Sequence, residues 1–300
     1  MDLVFFGSGA FGIPVLEDLA AHHAVRLVVS QPDRPAGRNR TLRPTPVSAL
    51  AEARGLPLLR TEDANAQSDR IRDVPAVWVV IAFGQKLSPE LLRDRFAVNL
   101  HASLLPRWRG AAPIHHAVMA GDKTTGVSVI TLADRMDAGD VLARSAIDIG
   151  PTDTTGDLHD RLASLGPAVI NRVLDAHASG SLRPEAQDER LAVAAPKLDR
   201  RIGRIDPTMT ADEARCRING CSPWPGCDAL LGGDAVRLLR AGPHPAASAP
   251  GVLTSEGVLG CADGGIQLLE VQRPGGRPAP FAEWARGCRQ SWPTTFEAVP

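Results

Sequence analysis

The sequence contains no tyrosine, and none of its apolar runs reaches the roughly 18 residues that a membrane-spanning helix needs. Its opening, MDLVFFGSGAFG, lacks the basic start, the long apolar run and the cleavage site of a secretory signal. Neither sign of charge is in excess, because 33 basic residues face 34 acidic ones. We therefore expect a cytoplasmic protein with no membrane partner, in which any nucleic acid would have to be bound by a local basic patch.

Cysteine is also scarce. The five cysteines all lie in the last third of the chain, no two of them form a C-x-x-C pair, and His244 is the only late histidine. A zinc site requires closely spaced cysteines or nearby histidines. The pattern predicts free thiols in a reducing compartment and no metal.

The first half of the chain alternates short apolar runs with helical patterns. The predicted strands include LVFFG (3–7), RLVVS (26–30), AVWVVIAFG (76–84) and FAVNLH (96–101), followed later by GVSVITL (126–132) and VLARSAIDI (141–149). LVFFG and AVWVVIAFG are apolar at every position, and such runs are typical of a parallel sheet covered by helices on both faces. We predict an α/β class, with a Rossmann-like domain and a mostly parallel sheet.

The last third of the chain has a different pattern. A polar segment without a strong period precedes Gly- and Pro-punctuated short strands, among them DALLGGDAVRLLRA. Gly-Gly turns between apolar runs predict hairpins, and hence a small β-barrel or sandwich. The predicted division is a first domain over 1–182, a linker over 183–204 and a second domain over 205–300.

A glycine-rich turn follows the first predicted strand, spelled by Gly7, Gly9 and Gly12. The spacing matches the G-x-G-x-x-G pattern of dinucleotide-binding proteins, so an NAD-dependent oxidoreductase is one alternative. That function needs an acidic residue at the end of the second strand to bind the ribose, and this chain has Ser30 and Gln31 there. The turn can equally serve close packing or accept an anion at the helix N-terminus.

Three polar residues lie where strands of the predicted sheet end. Asn99 and His101 are two apart on one strand and therefore face the same side, and Asp137 follows another strand in the segment MDAGD. Ligands of open α/β sheets bind at the carboxyl ends of the strands. A histidine bonded within a loop and an aspartate that shapes a turn are the structural alternatives.

The three side chains suit the attack of an amine on a carbonyl carbon. Asn99 can donate a hydrogen bond to the developing oxyanion, which is worth about 3 kcal/mol for one well-placed donor. His101 can donate to the same oxygen or move a proton, while Asp137 can orient the imidazole or accept the amine proton through water. No serine or cysteine nucleophile is required for direct transfer.

Longer stretches of the chain resemble a known family. NLHASLLPRWRGAAPI (99–114) is similar to the signature of the folate-dependent formyltransferases, and QPDRPAGR (31–38), VVIAFG (79–84) and MDAGDVL (136–142) agree in order. The resemblance implies a Rossmann-like formyltransferase domain followed by a small OB-like β-barrel. It also implies that Asn99, His101 and Asp137 are catalytic and that 10-formyltetrahydrofolate is the formyl donor.

The same resemblance implies the folate site. Its residues would be Ser103, Leu104, Leu105 and Pro106 in one loop, and Ile81, Ala82, Phe83 and Gly84 beside the pterin. Phe83 stands where the family often has tyrosine, and Ala102 replaces a frequent glycine. Either change could alter the affinity for folate.

The segment QPDRPAGRNRTLRPTP (31–46) carries four basic residues and a single acidic one: Arg34, Arg38, Arg40, Arg43 and Asp33. It is either a solvated surface loop or a basic finger that meets phosphates. RWRGAAPI is most similar to family members that formylate methionyl initiator tRNA, which implies that this loop and the second domain bind tRNA. An amino-sugar acceptor and a non-catalytic RNA-binding role are two competing hypotheses, and we expect a monomer.

Overall fold

The computed structural model describes residues 1–36, 41–245, 248–288 and 291–298. The chain divides into two compact units. The first comprises Met1–Arg109, Gly126–Ala146 and Asp160–Val193, and the second comprises Gly110–Thr125, Ile147–His159 and Ala194–Pro300. The predicted domain limits at 182 and 205 remain a prediction.

The described residues form eighteen strands and eight α-helices. In chain order the strands are β1 (Asp2–Gly7), β2 (Ala24–Ser30), β3 (Arg34–Ala36), β4 (Thr41–Arg43), β5 (Leu58–Arg60), β6 (Val77–Ile81), β7 (Ala97–His101), β8 (Arg109–Gly110), β9 (Thr124–Thr131), β10 (Val141–Asp148), β11 (Ala194–Ala195), β12 (Cys227–Leu231), β13 (Asp234–His244), β14 (Val252–Leu253), β15 (Val258–Gly260), β16 (Gly265–Gln272), β17 (Pro278–Pro280) and β18 (Thr294–Ala298). The helices are α1 (Ile13–His22), α2 (Pro46–Ala53), α3 (Ser68–Arg72), α4 (Pro89–Leu92), α5 (Pro113–Met119), α6 (Thr155–Ala178), α7 (Ala211–Gly220) and α8 (Phe281–Arg286).

The large sheet has the strand order β10-β9-β7-β6-β1-β2-β5. Strand β1 runs parallel to β2 and to β6, β2 is parallel to β5, and β6 is parallel to β7, whereas β9 runs antiparallel to β7. Its central strands are buried on both faces. On one face, Phe6 packs against Trp78 with the ring centroids 5.1 Å apart. This double burial explains the unalternating apolar runs. The prediction of a Rossmann-like, mostly parallel sheet is confirmed.

Several helices begin at a residue whose side chain caps them. The side chain of Thr45 accepts a hydrogen bond from the Ser48 amide at the start of α2, and Ser88 does the same for Leu91 in α4. Both helices have proline in their first turn, where the missing N–H costs nothing. Helix α7 begins with a reciprocal capping box between Thr210 and Glu213.

The second unit contains an antiparallel barrel. Its strands follow the order β13-β12-β18-β14-β15-β16, and pairing of β13 with β16 closes the ring, while β17 adds to the far half of β16. Gly232 and Gly233, at φ 58° and 87°, join β12 to β13 in a two-residue hairpin, as the Gly-Gly pattern predicts. The barrel is therefore confirmed over the alternative of a sandwich.

Within the part of the chain that the structure describes, no helix combines the length and the apolarity that crossing a membrane would take.

Candidate active site

Strand β7 places Asn99 and His101 on one face of the sheet. Asn99 lies beside Val80 of β6 and Ile130 of β9, and His101 lies beside Ser128 of β9. Asn99 is half-buried in the middle of β7, and the buried His101 is the last residue of the strand, at its carboxyl end.

The imidazole of His101 has a different neighbour at each nitrogen. Its Nε2 lies 2.9 Å from the carbonyl oxygen of Trp108, and its Nδ1 lies 3.6 Å from Oδ2 of Asp137. A carbonyl oxygen can only accept, so Nε2 carries a hydrogen and Nδ1 is the nitrogen at which the neutral ring can take up a proton. The side chains of His101 and Asp137 are 7% and 14% exposed, so the charge pair that forms on protonation is poorly screened by solvent.

Both neighbours of this ring have unusual backbone conformations. Trp108 has φ 66° and Asp137 has φ 53°, in the left-handed region that non-glycine residues seldom adopt. Gly139 lies close behind Asp137, and a Cβ placed on it would come within 1.7 Å of the carbonyl oxygen of Thr131. Only glycine fits there, which explains the sequence MDAGD better than a simple turn does.

Ser128 anchors the loop that follows His101. Its hydroxyl donates to the carbonyl oxygen of Ser103 at 2.7 Å and accepts from the amide of Leu105 at 3.1 Å. The hydroxyl of Ser103 in turn donates to the carbonyl oxygen of Arg107 at 2.6 Å. Ser103 and Leu105 are buried, whereas Leu104 and Pro106 are half-buried. The loop is held from inside, and Leu104 and Pro106 are its more accessible members.

The segment predicted to lie beside the pterin alternates between buried and exposed residues. Ile81 and Phe83 are buried, and Phe83 packs edge-on against Phe6 at 5.6 Å between ring centroids. Ala82 and Gly84 are exposed, with φ 46° and 79°. A ligand approaching this segment would therefore meet the backbone of Ala82 and Gly84 rather than the ring of Phe83.

The glycine-rich turn packs onto this same segment. The amides of Ser8 and Gly9 both donate to the carbonyl oxygen of Ala82, and Gln31 donates through Nε2 to the carbonyl oxygen of Phe83 at 2.7 Å. Amides used in this way cannot hold a pyrophosphate, and Gln31 occupies the region where a dinucleotide site needs its acidic residue. The arrangement favours close packing over the NAD alternative.

The described part of the basic segment contains two short paired strands, called here the β3–β4 hairpin, rather than irregular chain alone. Strands β3 and β4 pair antiparallel, with Arg34 opposite Arg43, and both residues are exposed. Asp33 pairs with Arg60 at 2.8 Å, so the single acidic residue of the segment is engaged by a residue outside it. The predicted tRNA-binding residues Arg38 and Arg40 lie outside the described residues.

Metal ligands do not cluster: among the residues that the structure describes, no group of three or more His, Cys, Asp or Glu side chains could hold a metal ion. The five cysteines are free thiols, and four of them are buried.

Two family models match the chain. The model described as "Formyl transferase" matches residues 1–174, and the one described as "Formyl transferase, C-terminal domain" matches residues 197–289. The chain belongs to the formyl transferase family.

Relatives of this formyl transferase agree over nearly its whole length. A methionyl-tRNA formyltransferase of Paracoccus denitrificans is 42% identical over 293 residues, which cover 96% of this chain and 97% of the relative. One of Pseudomonas putida is 39% identical over 307 residues, covering 98% of each chain.

Solved structures share the fold at low sequence identity. HypX from Aquifex aeolicus in complex with tetrahydrofolic acid matches with a TM-score of 0.66 and 16% identity, covering 94% of this chain and 46% of that one. The N-formyltransferase from Helicobacter canadensis with folinic acid and dTDP-3-aminofucose matches with a TM-score of 0.68 and 14% identity, covering 88% and 97%.

The sequence does not predict several residues at this candidate site. Trp108 is one of them, because its carbonyl oxygen accepts a hydrogen bond from the His101 ring, and Ser128 is another, because it bonds the loop after His101. Arg109 and Gln187 are the others, and they form a hydrogen bond with one another near Asp137. Ser128 lies on an apolar strand, and the presence of a hydroxyl among apolar side chains is the sequence feature that could have drawn attention to it. Gln187 lies in a polar segment without any pattern.

Proposed function

We propose that this formyl transferase moves the formyl group of 10-formyltetrahydrofolate to the α-amino group of methionyl initiator tRNA. The observation that carries the proposal is the His101 imidazole, held between the Trp108 carbonyl and the Asp137 carboxylate beside Asn99. The near full-length similarity to proteins named methionyl-tRNA formyltransferase supports tRNA as the acceptor. Because charged initiator tRNA is used where translation occurs, we infer a cytoplasmic enzyme, and a monomer remains our prediction.

The reaction forms a bond from the amine nitrogen to the formyl carbon and breaks the bond from that carbon to the folate N10. Asn99 donates to the oxygen of the formyl group as negative charge develops on it. The Nδ1 atom of His101 accepts the proton that the amine loses, because Nε2 already donates a hydrogen bond to the carbonyl oxygen of Trp108. Asp137 stabilises the resulting imidazolium, and the same proton is then available to the leaving N10.

We further propose that Ser103, Leu104, Leu105 and Pro106, together with Ile81, Ala82, Phe83 and Gly84, line the folate site. The exposed left-handed backbone at Ala82 and Gly84 supports contact through peptide groups, which bind a ring edge without needing the tyrosine that the resemblance leads us to expect in place of Phe83. Arg34, Arg38, Arg40 and Arg43 would contact tRNA phosphates, which the exposure of Arg34 and Arg43 supports.

Replacing the two proton-handling residues tests the proposal. His101→Ala and Asp137→Asn should each lower the rate of formylation by about tenfold to a hundredfold, because each removes a group that moves or stabilises the proton. The measurement is single-turnover formylation of charged initiator tRNA, with thermal unfolding to show that each variant is folded. Ser164→Ala is the control, since its exposed hydroxyl on α6 donates to the carbonyl oxygen of Arg161, one turn earlier in the same helix.

A rate close to that of the unaltered protein in either variant would remove that residue from the mechanism. Product with an aminated sugar nucleotide, and none with charged initiator tRNA, would replace the acceptor and keep the chemistry.

A further inference from the structure

Gln187 uses both ends of its side-chain amide. Its Nε2 donates to the carbonyl oxygens of Asp137 and Gly139, at 2.8 Å and 2.6 Å. Its Oε1 accepts from Nε and Nη2 of Arg109, at 3.0 Å and 2.8 Å. Two carbonyls on one side and a guanidinium on the other leave a single orientation of the amide that satisfies every partner.

Through the two ends of its amide, Gln187 connects the segments that carry the two groups flanking the His101 ring. Arg109 directly follows Trp108, whose carbonyl accepts from Nε2, and Asp137 faces Nδ1. Trp108 and Asp137 both have left-handed backbones, which persist only where surrounding contacts hold them. Gln187 supplies such a contact to Asp137 directly, and it reaches Trp108 through the side chain of the next residue, Arg109.

The guanidinium of Arg109, which bonds Oε1 of Gln187, is itself held in place by other side chains. This guanidinium is 9% exposed and pairs with both carboxylate oxygens of Glu189, at 3.1 Å and 2.9 Å. Arg135 binds the same carboxylate at 3.0 Å. A largely buried, doubly bonded arginine is a rigid support, so a displacement of Gln187 would be transmitted to the Asp137 loop rather than absorbed.

We propose that Gln187 is a positioning residue, which fixes the spacing between the Trp108 carbonyl and the Asp137 carboxylate and so orients the imidazole of His101. The role rests on the proposed function of His101 and Asp137. Gln187 touches none of the reacting atoms, and it acts only through the segments that carry Trp108 and Asp137.

Two variants separate the halves of this contact. Gln187→Ala removes both ends. Gln187→Glu keeps acceptors for Arg109 but has no donor for the carbonyls of Asp137 and Gly139. Since a displacement of about 1 Å at a reacting group can cost a hundredfold, each variant should lower the turnover number at least tenfold with little change in the KM for folate. Arg183→Ala is the matched control from the same segment, because that exposed side chain donates to the carbonyl oxygen of its own neighbour, Leu182.

A double-mutant cycle shows whether the effect passes through Asp137. In the Asp137→Ala background, Gln187→Ala should lower the turnover number by less than twofold further, because there is no carboxylate left to position. A full additional loss would mean that Gln187 serves the structure in general and would overturn the proposal, as would normal turnover in both single variants.

A readout independent of activity uses the ring resonances of His101 in protein labelled at histidine, assigned by their absence in His101→Gln. They should move in Gln187→Ala and stay unchanged in Arg183→Ala. Unmoved resonances would overturn the positioning role. A protein that shows the shift but does not formylate tRNA would instead contradict the proposed function alone.

Discussion

Two histidines of this chain, His101 and His115, have side chains in very different surroundings. The ring of His101 has a polar neighbour at each nitrogen, one of them a carboxylate. His115, in α5, is half-buried, and desolvation lowers its pKa to about 4, against a hydrogen bond with the backbone of Trp224 that raises it. Repulsion from His116 and His159 adds a smaller lowering. The surroundings of His115 therefore disfavour a proton on its ring.

His115 should make stability depend on pH. The unfolded chain takes up a proton at this side chain near pH 6.5 and the folded chain only near pH 4, so its contribution is complete above pH 6.5 and is lost as the pH falls to 4. The loss amounts to on the order of 3 kcal/mol of unfolding free energy for the ideal case. Urea unfolding at a series of pH values should show this slope, and it should be absent in His115→Gln.

His22→Gln serves as the control, because that side chain is 66% exposed at the end of α1. An identical pH slope in His115→Gln and in the unaltered protein would show that other groups produce it.

Single-residue chemistry is predictable from the sequence only where it follows the strands. Asn99, His101 and Asp137 stand out because polar side chains at the ends of buried strands are unusual, and the structure brings the last two within 3.6 Å. The Trp108 carbonyl is not predictable, since its direction depends on a left-handed φ that a bulky residue rarely adopts. Gln187 lies 50 residues from Asp137 in a segment with no periodicity, so no local pattern could connect them.

At the scale of elements, the antiparallel pair β7–β9 supports the loop after His101. Ser128 faces this loop from β9 and bonds both the Ser103 carbonyl and the Leu105 amide. These bonds are buried, so removing the hydroxyl leaves two backbone groups without their partner. The position of the loop depends on one side chain of the neighbouring strand.

Ser128→Ala should therefore weaken folate binding. We expect about a fivefold to thirtyfold rise in the dissociation constant of a folate analogue, which corresponds to the 1–2 kcal/mol cost of unsatisfied buried groups. Fluorescence titration of the folate analogue measures it, with Thr208→Ala as a control that alters an exposed hydroxyl in the second unit. Unchanged affinity in Ser128→Ala would separate the loop from the folate site.

Elements are predicted well where burial creates a pattern and poorly where it does not. The doubly buried strands β1, β6 and β7 are clear as apolar runs. The hairpin of β3 and β4 resembles a loop in the sequence, because its described residues are mostly exposed and include Pro35, and pairing of Arg34 with Arg43 leaves no apolar alternation.

At the scale of the whole molecule, the charge balance limits how tRNA can be bound. With 33 basic and 34 acidic residues, the protein has no general attraction for a polyanion. Binding must then come from places where basic side chains outnumber acidic ones. The β3–β4 hairpin is such a place, because the carboxylate of Asp33 is paired with Arg60.

Removing Arg34 and Arg43 together should weaken tRNA binding and make it less sensitive to salt. Each lost phosphate contact lowers the slope of log affinity against log salt concentration by about 0.7 to 0.9, so the double variant should lose between one and two units of slope. Filter binding at several salt concentrations measures this, while folate affinity should not change. Arg26→Ala, near the opposite end of β2 and paired with Asp2, is the control.

A curve for the double variant that superimposes on that of the unaltered protein at every salt concentration would exclude the hairpin from the tRNA interface.

The place of Gln187 along the chain affects how hybrid enzymes can be built from this family. The first family match ends at residue 174 and the second begins at residue 197, so Gln187 lies in the stretch that neither match covers. A crossover placed at the end of the first match would exchange Gln187 for the residue of the other parent and leave Arg109 and the Asp137 loop with a foreign counterpart. A crossover after Val193, where the first compact unit ends, keeps all three from one parent.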